Sequence, residues 1–561
     1  MISNSDISDL FKLFANLLEL HGENEFKAKS YHTASFRLDK LPKQIATMSP
    51  EERSQIEGIG KGIYGKLTEL LVSDKLSELE ELLARTPKGV LEMMEIKGIG
   101  PKKVRTIWTQ LEIETVGELL YACQENRLVT LSGFGAKTQE TVIKSIEFIQ
   151  TSSGKLHFND AEREARSVIE ILTTAKIRAE IVGQIARNCE IIDQVELLLE
   201  GSTSPILRKT IEDCLAVIGY DSAVLVNDSL VFKSDSKIID LFLYFSESSQ
   251  FEKVKFTHTA TSEFLKAVNF NPSETFTNDF DFFTQRNLPN ITKEMWENDE
   301  TLAWAKSIAN PSDIVSYNDL KGCIHNHSLW SDGANTIAEM AESCINLGLE
   351  YFVISDHSRS ATYANGLQPE RIVQQHKEID KLNQTLTNSL TSPNFKVFKS
   401  IESDILGNGL LDYEEDVLKS FDLVIASIHS NLKMEEGKAN MRLLKAIENP
   451  YTRILGHPTG RLLLSRPGYP INHKLIIDAC AANNVAIELN AHPYRLDIDW
   501  RWIHYAEDKG VLISINPDAH SVNGISNMFY GVCVARKAGL LSKNVINAKS
   551  LIEFEVWLKC K

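Results

Sequence analysis

The 561-residue chain has no long apolar run; a bilayer-crossing helix needs about 18 such residues in a row, and none occurs. Its first residues, MISNSDISDLFKLF, are acidic where an export signal carries positive charge. Neither membrane insertion nor Sec-type export is expected. Cysteine pairs are missing too: the eight cysteines, at 123, 189, 214, 323, 344, 480, 533 and 560, form no C-x-x-C. That argues against a disulfide framework or zinc ribbon, and a reducing cytoplasm fits best. Positive charge is also short. A net charge of -16 excludes coating nucleic acid through bulk electrostatics, while leaving room for local phosphate contacts. Residues 1–150, 151–315 and 316–561 carry -3, -10 and -3, so the middle is least suited to gripping DNA. An apolar share of 43% rules out a disordered chain, and the length calls for several domains.

What is present begins with a repeat. IEGIGKGIYGKL (56–67), IKGIGPKKVRTI (96–107) and LSGFGAKTQETV (131–142) each place Gly-apolar-Gly between an apolar residue and a helix that opens with polar or basic side chains. The pairs Gly58 and Gly60, Gly98 and Gly100, and Gly133 and Gly135 permit a tight turn whose amides point outward at a helix N-terminus, a ready-made phosphate site. Lys102, Lys103 and Lys137 add charge there. This is the logic of a helix-hairpin-helix, which holds DNA backbone without reading bases. One copy could merely join two packed helices; three copies favour backbone contact. From about 155 the texture alternates a helix, AEREARSVIEILTT, with the β-rich runs AEIVG, VELLLE, AVLVN, LVFKS and KIIDLFLYF, as in an α/β or α+β unit. NPSDIVSYNDLKG, near 315, reads as a linker or the edge of a new domain.

Ten of the fourteen histidines follow residue 315, mostly where short apolar runs end, as in an αβ barrel displaying ligands at its strand ends. GCIHNHSLWSDG offers His325 and His327, which share a side if they lie on a strand, and Asp332. YFVISDHS ends in His357, VFKSIESDIL supplies Glu402, and LVIASIHS ends in His429. RILGHPTGR places His457 after another run, and VLISINPDAH ends in Asp518 and His520. Imidazole and carboxylate together suit Mn²⁺, Zn²⁺ or Fe²⁺ rather than a thiolate site. Nine ligands exceed the need of one ion; two or three ions sharing carboxylates use them economically, as in centres that clamp a phosphodiester. His376, His473, His492 and His504 lack this context and read as structural or surface residues.

HNH…SDG, SDHS, Glu402, SIHS, GHPTGR, IELNAHPYRLDIDW and PDAH resemble the polymerase-and-histidinol-phosphatase (PHP) domain of bacterial family X DNA polymerases, across residues 316–561. All nine metal positions of that domain are filled. The helix-hairpin-helix repeats and FKAKSYHTASFRLDKLP, similar to a deoxyribose-phosphate-binding segment, extend the resemblance over nearly the whole chain. It implies five parts: an all-α DNA-end-binding domain (1–85), a fingers-like helix-hairpin-helix domain (86–152), a polymerase-β-like α/β palm (153–255), a small thumb with linker (256–315), and a distorted (β/α)7 PHP barrel (316–561) with a trinuclear metal site. The implied activities are manganese-dependent 3′–5′ exonuclease and abasic-site endonuclease. Arg461 and Arg495, beside matched motifs, become candidates for the substrate phosphate, with surface ion pairs as the alternative. Lys66 falls at the family's lyase lysine, although Gly62 replaces a second lysine.

The palm departs from the family. Gly183 and Arg187 survive, but Gln184 stands at the Ser position, Gln194 and Glu196 stand at the Asp-x-Asp, and Asp240 is the third carboxylate. Two-metal transfer holds its ions about 4 Å apart by shared carboxylates, so a neutral amide removes a ligand charge and Mg²⁺ is not expected in the palm. The expected protein is a cytoplasmic, monomeric DNA-repair nuclease with a relic polymerase core. It acts on gapped, recessed or abasic DNA, and 316–561 is expected to cleave alone. The alternatives are an active gap-filling polymerase with PHP proofreading, and a phosphatase for a small phosphate ester.

Overall fold

The structure, a computed structural model, describes residues 4–560 apart from 40, 42, 57, 74, 97, 151–153, 221–222, 234–238, 309 and 388–393. The chain forms two compact units, Met1–Phe148 and Ile149–Lys561.

The first unit is helical. Helix Asn4–Leu20 packs on Glu25–Asp39, with Phe11 and Phe14 edge-on to Tyr31 at 5.4 and 4.7 Å between ring centroids. Each of the three repeats is a turn that opens a helix: Lys61–Ser73, Pro101–Leu111 and Ala136–Gln150. The leading glycines, Gly58, Gly98 and Gly133, have φ of 86°, 98° and 85°, a region where a side chain is strained. The second glycines stand at the N-caps, where the carbonyls of Gly60, Gly100 and Gly135 accept from Tyr64, Val104 and Gln139.

The second unit opens with a small ribbon in which β1 (Leu156–His157) pairs antiparallel with β3 (Ile191–Ile192). A five-stranded sheet follows in the order β2 (Ala179–Ile181), β4 (Val195–Glu200), β7 (Leu241–Ser246), β6 (Ser229–Phe232) and β5 (Ala223–Val226). Only β4 and β7 run parallel. Helix Phe158–Thr174 lays Ala161, Ala165, Val168 and Leu172 on this sheet at helical spacing. Residues 256–314 wrap an aromatic core of Phe256, Phe264, Phe282, Phe283 and Trp296.

The remainder is a nearly closed barrel of seven parallel strands in sequential order: β8 (Gly322–Cys323), β9 (Tyr351–Ile354), β10 (Lys396–Asp404), β11 (Leu423–Ser427), β12 (Thr452–Leu455), β13 (Ala486–Asn490) and β14 (Ile513–Asn516). Short apolar runs such as YFVI and LVIAS are buried along their whole length because helices cover the outside. No ladder joins β14 to β8. Beyond their ends, a single bridge between Asn326 and Ala519, with the His327 amide donating to the Ala519 carbonyl at 2.9 Å, draws the edges together.

Of the two readings of the stretch near 315, linker or edge of a domain, the contacts favour the second: Ile314 bridges Leu541, and the Val315 amide donates to the Leu540 carbonyl. The sheet's core also takes in Cys533 and Tyr530 from the barrel helix Met528–Lys537, so residues 316–561 excised alone would bare an apolar face. Among the described residues no helix is long and apolar enough to cross a membrane.

Candidate metal centre

All nine histidine and carboxylate positions converge at the C-terminal mouth of the barrel. Their ligand atoms fall into four overlapping groups, each within 4.8 Å: His327, Asp332, His357 and His520; His325, His457 and Asp518; His325, His327 and Glu402; and His357, Glu402 and His429. Glu402 is central. Its Oε1 lies 2.9 Å from His457 Nε2, 3.0 Å from His429 Nε2 and 3.3 Å from His325 Nε2, while Oε2 lies 2.9 Å from His357 Nδ1. Asp518 Oδ1 is 3.0 Å from His327 Nε2 and 3.5 Å from His325 Nε2. Asp332 is 3.4 Å from His520 Nε2 and 3.6 Å from His357 Nε2.

The local chain differs from the strand pairing expected for His325 and His327. The chain leaves β8 after Cys323, and His325 takes a left-handed φ of 63°, yet the two rings still lie 5.4 Å apart. Asp518 is left-handed as well, at 52°. Each such residue costs on the order of 1 kcal/mol, which the surrounding fold must offset.

Burial disfavours every charge here, and the neighbours decide which survive. Burial pushes Glu402 up, but His429, His325 and His357 together hold it well below the usual carboxylate range. Asp518 is held well below it by His325 and His327, and Asp332 is lowered by His357 and His520, in both cases against burial. His327 goes the other way: burial, then His520 and His357, push it down to about 3, so it is neutral with a lone pair to give. Several buried atoms face the cluster without a hydrogen bond, among them His325 Nε2, His327 Nδ1, Asp332 Oδ2 and Glu402 Oε2. Against burial, the surrounding carboxylates raise His357 and hold His325 and His429 well above the usual imidazole range. A cation that takes the place of those protons would meet ionised carboxylates and imidazole nitrogens, a set that fits borderline divalent ions.

Three residues that sequence reasoning passed over support the nine. Glu488 Oε2 accepts from His325 Nδ1 at 2.6 Å, and Asp404 hydrogen-bonds His429 Nδ1; both fix imidazole orientation. Arg442, fully buried, donates to the carbonyls of Ile405, Leu406 and Ser430, tying together the loops behind β10 and β11. A signal existed for the carboxylates: Asp404 follows Glu402 by two on one strand, and Glu488 interrupts the apolar run VAIELN.

Arg461 follows the ion-pair alternative. Its guanidinium donates to the Arg495 and Leu496 carbonyls and to Asp499 at 2.9 Å, which ties the loop after β12 to the one after β13. Arg495 is 7% exposed. In the palm, Gln184 is locked to Asp193, donating at 2.9 Å and accepting from its amide at 2.8 Å. Glu196 accepts from Tyr244 at 3.0 Å and lies against Gly183, where a Cβ would sit 1.8 Å from its carboxylate. Arg187 is spent on Glu297 and the Thr259 carbonyl. Gln194 and Asp240 each precede their strand by one residue, and Asp240 lies 3.7 Å from Lys233.

In the first unit, Lys66 pairs with Glu69 at 2.9 Å, with Glu78 3.7 Å away, and these carboxylates raise its pKa. A Schiff-base lysine needs the opposite shift. Lys102 is paired with Glu25 at 2.8 Å, and Lys103 lies over the Phe134 ring. Gly60, Gly100 and Gly135 have nothing within 4 Å of an added Cβ, so internal packing does not require glycine there. Replacing all three with Ala should leave the melting temperature near wild type. If a methyl keeps a phosphate from each turn, about 1 kcal/mol is lost at each, and DNA affinity falls on the order of a hundredfold by filter binding. Unchanged affinity would make the turns packing elements.

Two family models match the first unit: a helix-hairpin-helix domain over residues 2–76 and a SAM-like helix-hairpin-helix tandem over 90–147. Over its full length the chain is similar to the DNA polymerase/3'-5' exonuclease PolX of Bacillus subtilis, 32% identical over 577 aligned positions and 99% of each chain. The C-terminal part is similar to a probable phosphatase of Syntrophotalea carbinolica, 25% identical over 238 residues, 40% of this chain and 90% of that protein. A probable phosphatase of Caldanaerobacter subterraneus is 28% identical over 215 residues, 35% of this chain and 74% of that protein.

Proposed function

This chain belongs to the bacterial family X DNA polymerases that carry a C-terminal PHP domain, and from that premise we propose that it is a metal-dependent DNA nuclease whose polymerase core is inactive. One observation carries the reading: the barrel's nine ligands are complete and converge, while the palm has an amide and a misplaced Glu196 where carboxylates are needed. The nine residues would hold two or three divalent ions, Mn²⁺, Zn²⁺ or Fe²⁺, which when bound supply Lewis-acid activation of water and charge for a phosphodiester. Glu402 is shared between groups of ligands, as a bridging carboxylate must be. Glu488 and Asp404 hold Nδ1 of His325 and His429 and so turn each Nε2 toward Glu402. Arg359, two residues beyond His357, is half-exposed beside Asp412, whereas Arg461 is largely buried against Asp499, so Arg359 is the more accessible candidate for a substrate phosphate.

The turns at Gly58–Gly60, Gly98–Gly100 and Gly133–Gly135 would hold the DNA backbone, giving 3′–5′ exonuclease action on recessed or gapped ends and incision at abasic sites. The test is degradation of a 3′-recessed oligonucleotide with Mn²⁺, with and without the four deoxynucleotides. Shortening that ignores nucleotides supports the reading, and extension supports the polymerase alternative. Hydrolysis of a small phosphate ester with no action on DNA would instead favour the phosphatase reading. Glu488→Gln keeps the shape and weakens the grip on His325; metal affinity should fall by about 10- to 100-fold, as for other partners of ligating histidines. Titrating activity against Mn²⁺ measures this.

A further inference from the structure

We propose that His157 of the palm is a positioning residue for the metal centre, and that the relic palm acts as its buttress; this rests on the metal-dependent reading of the barrel. His157 ends β1 and is 4% exposed. Its ring stacks on Tyr494, in the loop after β13, with centroids 4.0 Å apart and planes within 19°. Burial holds the imidazole below its ordinary pKa, hence neutral, and Nε2 donates to the Leu463 carbonyl, in the loop after β12, at 3.0 Å. The two loops are joined in turn, the Leu463 amide donating to the Tyr494 carbonyl at 2.7 Å.

From Tyr494 the contacts run unbroken to the ligands. The Tyr494 amide donates to His492 Nδ1 at 3.2 Å, and the His492 amide to Asn490 Oδ1 at 3.0 Å. Asn490 Nδ2 donates to Asp518 Oδ2 at 3.0 Å and to Glu488 Oε1 at 3.1 Å. Asp518 presents its other oxygen to His327, and Glu488 its other oxygen to His325. His492, set aside in the sequence as structural, is thus a link in the route. A second palm residue reaches the same loop: Glu190 lies 3.7 Å from the guanidinium of Arg461, which holds the Arg495 and Leu496 carbonyls. The first contact comes from β1 and the second from Glu190, just before β3, which leads directly to Gln194 and Glu196. The segment that no longer presents polymerase carboxylates therefore keeps a task on the barrel.

A chain of contacts becomes a coupling only if its ends respond together. The test is calorimetric Mn²⁺ binding to the full-length protein without DNA, for wild type, His157→Ala, Tyr494→Ala, Tyr494→Phe and the double Ala variant. For His157→Ala and Tyr494→Ala we expect affinity about tenfold weaker, the low end for groups acting behind a ligand. Tyr494→Phe keeps the ring and should bind as wild type. The double variant should bind no more weakly than the worse single one, because both cut one route. Wild-type affinity in His157→Ala, or losses that multiply in the double variant, overturns the proposal. If His157→Ala fails to fold, His157→Phe, which keeps the stack and loses the bond to Leu463, takes its place with the same expected direction and the same overturning result. A wild-type protein that binds no Mn²⁺ refutes the reading of the barrel instead.

Discussion

With His325 and His327 both replaced by Ala, metal-dependent DNA degradation should fall by more than the roughly 10- to 100-fold that loss of an outer partner costs. The two rings belong to three of the four ligand groups and face Glu402 and Asp518, so no group that contains either residue remains complete. The fold should survive, because the barrel's main apolar cluster contains neither residue. Glu402 keeps His357, His429 and His457 beside it, and Asp518, which loses both of its close imidazoles, can take up a proton rather than remain buried as an unpaired charge. A cooperative melt with loss of both Mn²⁺ binding and nuclease activity is the expected pair of results. Near wild-type digestion by this variant would place the active centre elsewhere.

Templated primer extension by the unmodified protein should be absent. A missing bridging carboxylate forfeits charge stabilisation worth several kcal/mol, so a deficit of about 4 kcal/mol already means about a thousandfold. Restoring Gln194→Asp and Glu196→Asp together should recover little. Gln184 and Asp193 grip each other across the site, and Arg187 is committed to Glu297 and Thr259. Efficient extension by the wild type, followed over time on a gapped duplex with Mg²⁺ and with Mn²⁺, would refute the relic palm.

The barrel was legible because its ligands stand at the ends of apolar runs, a pattern of strand-end positions that survives without coordinates. The same pattern misplaced His325 on a strand, since nothing in GCIHNHS announces a left-handed residue after two strand positions. Second-layer carboxylates were harder to see. Asp404 and Glu488 acquire meaning only from the imidazole each meets, and Glu488 lies 163 residues from His325. The free cations imagined at the turns were partly spent: Lys102 meets Glu25, a partner 77 residues away that local reading does not bring near. The joining of palm to barrel was least visible, because the packing of Cys533 and Tyr530 into the sheet's core and contacts such as His157 with Tyr494 pair residues hundreds of positions apart.

The barrel's open seam also sets an order of events. Its edges meet where Asn326 reaches Ala519, nearly two hundred residues apart in sequence, and across Asn547, which hydrogen-bonds both Gly322 and Ile515; the first join brings His325 and His327 to Asp518 and His520. Contacts of such separation form late, after the loop between them has been closed. On the ribosome, the helical unit ending at Phe148 has all its residues long before Asp518 is translated. A nascent or truncated chain can therefore have its helix-hairpin-helix turns in place while it still lacks the complete set of ligands, and termination between residues 149 and 517 would leave the helical unit without Asp518 and His520.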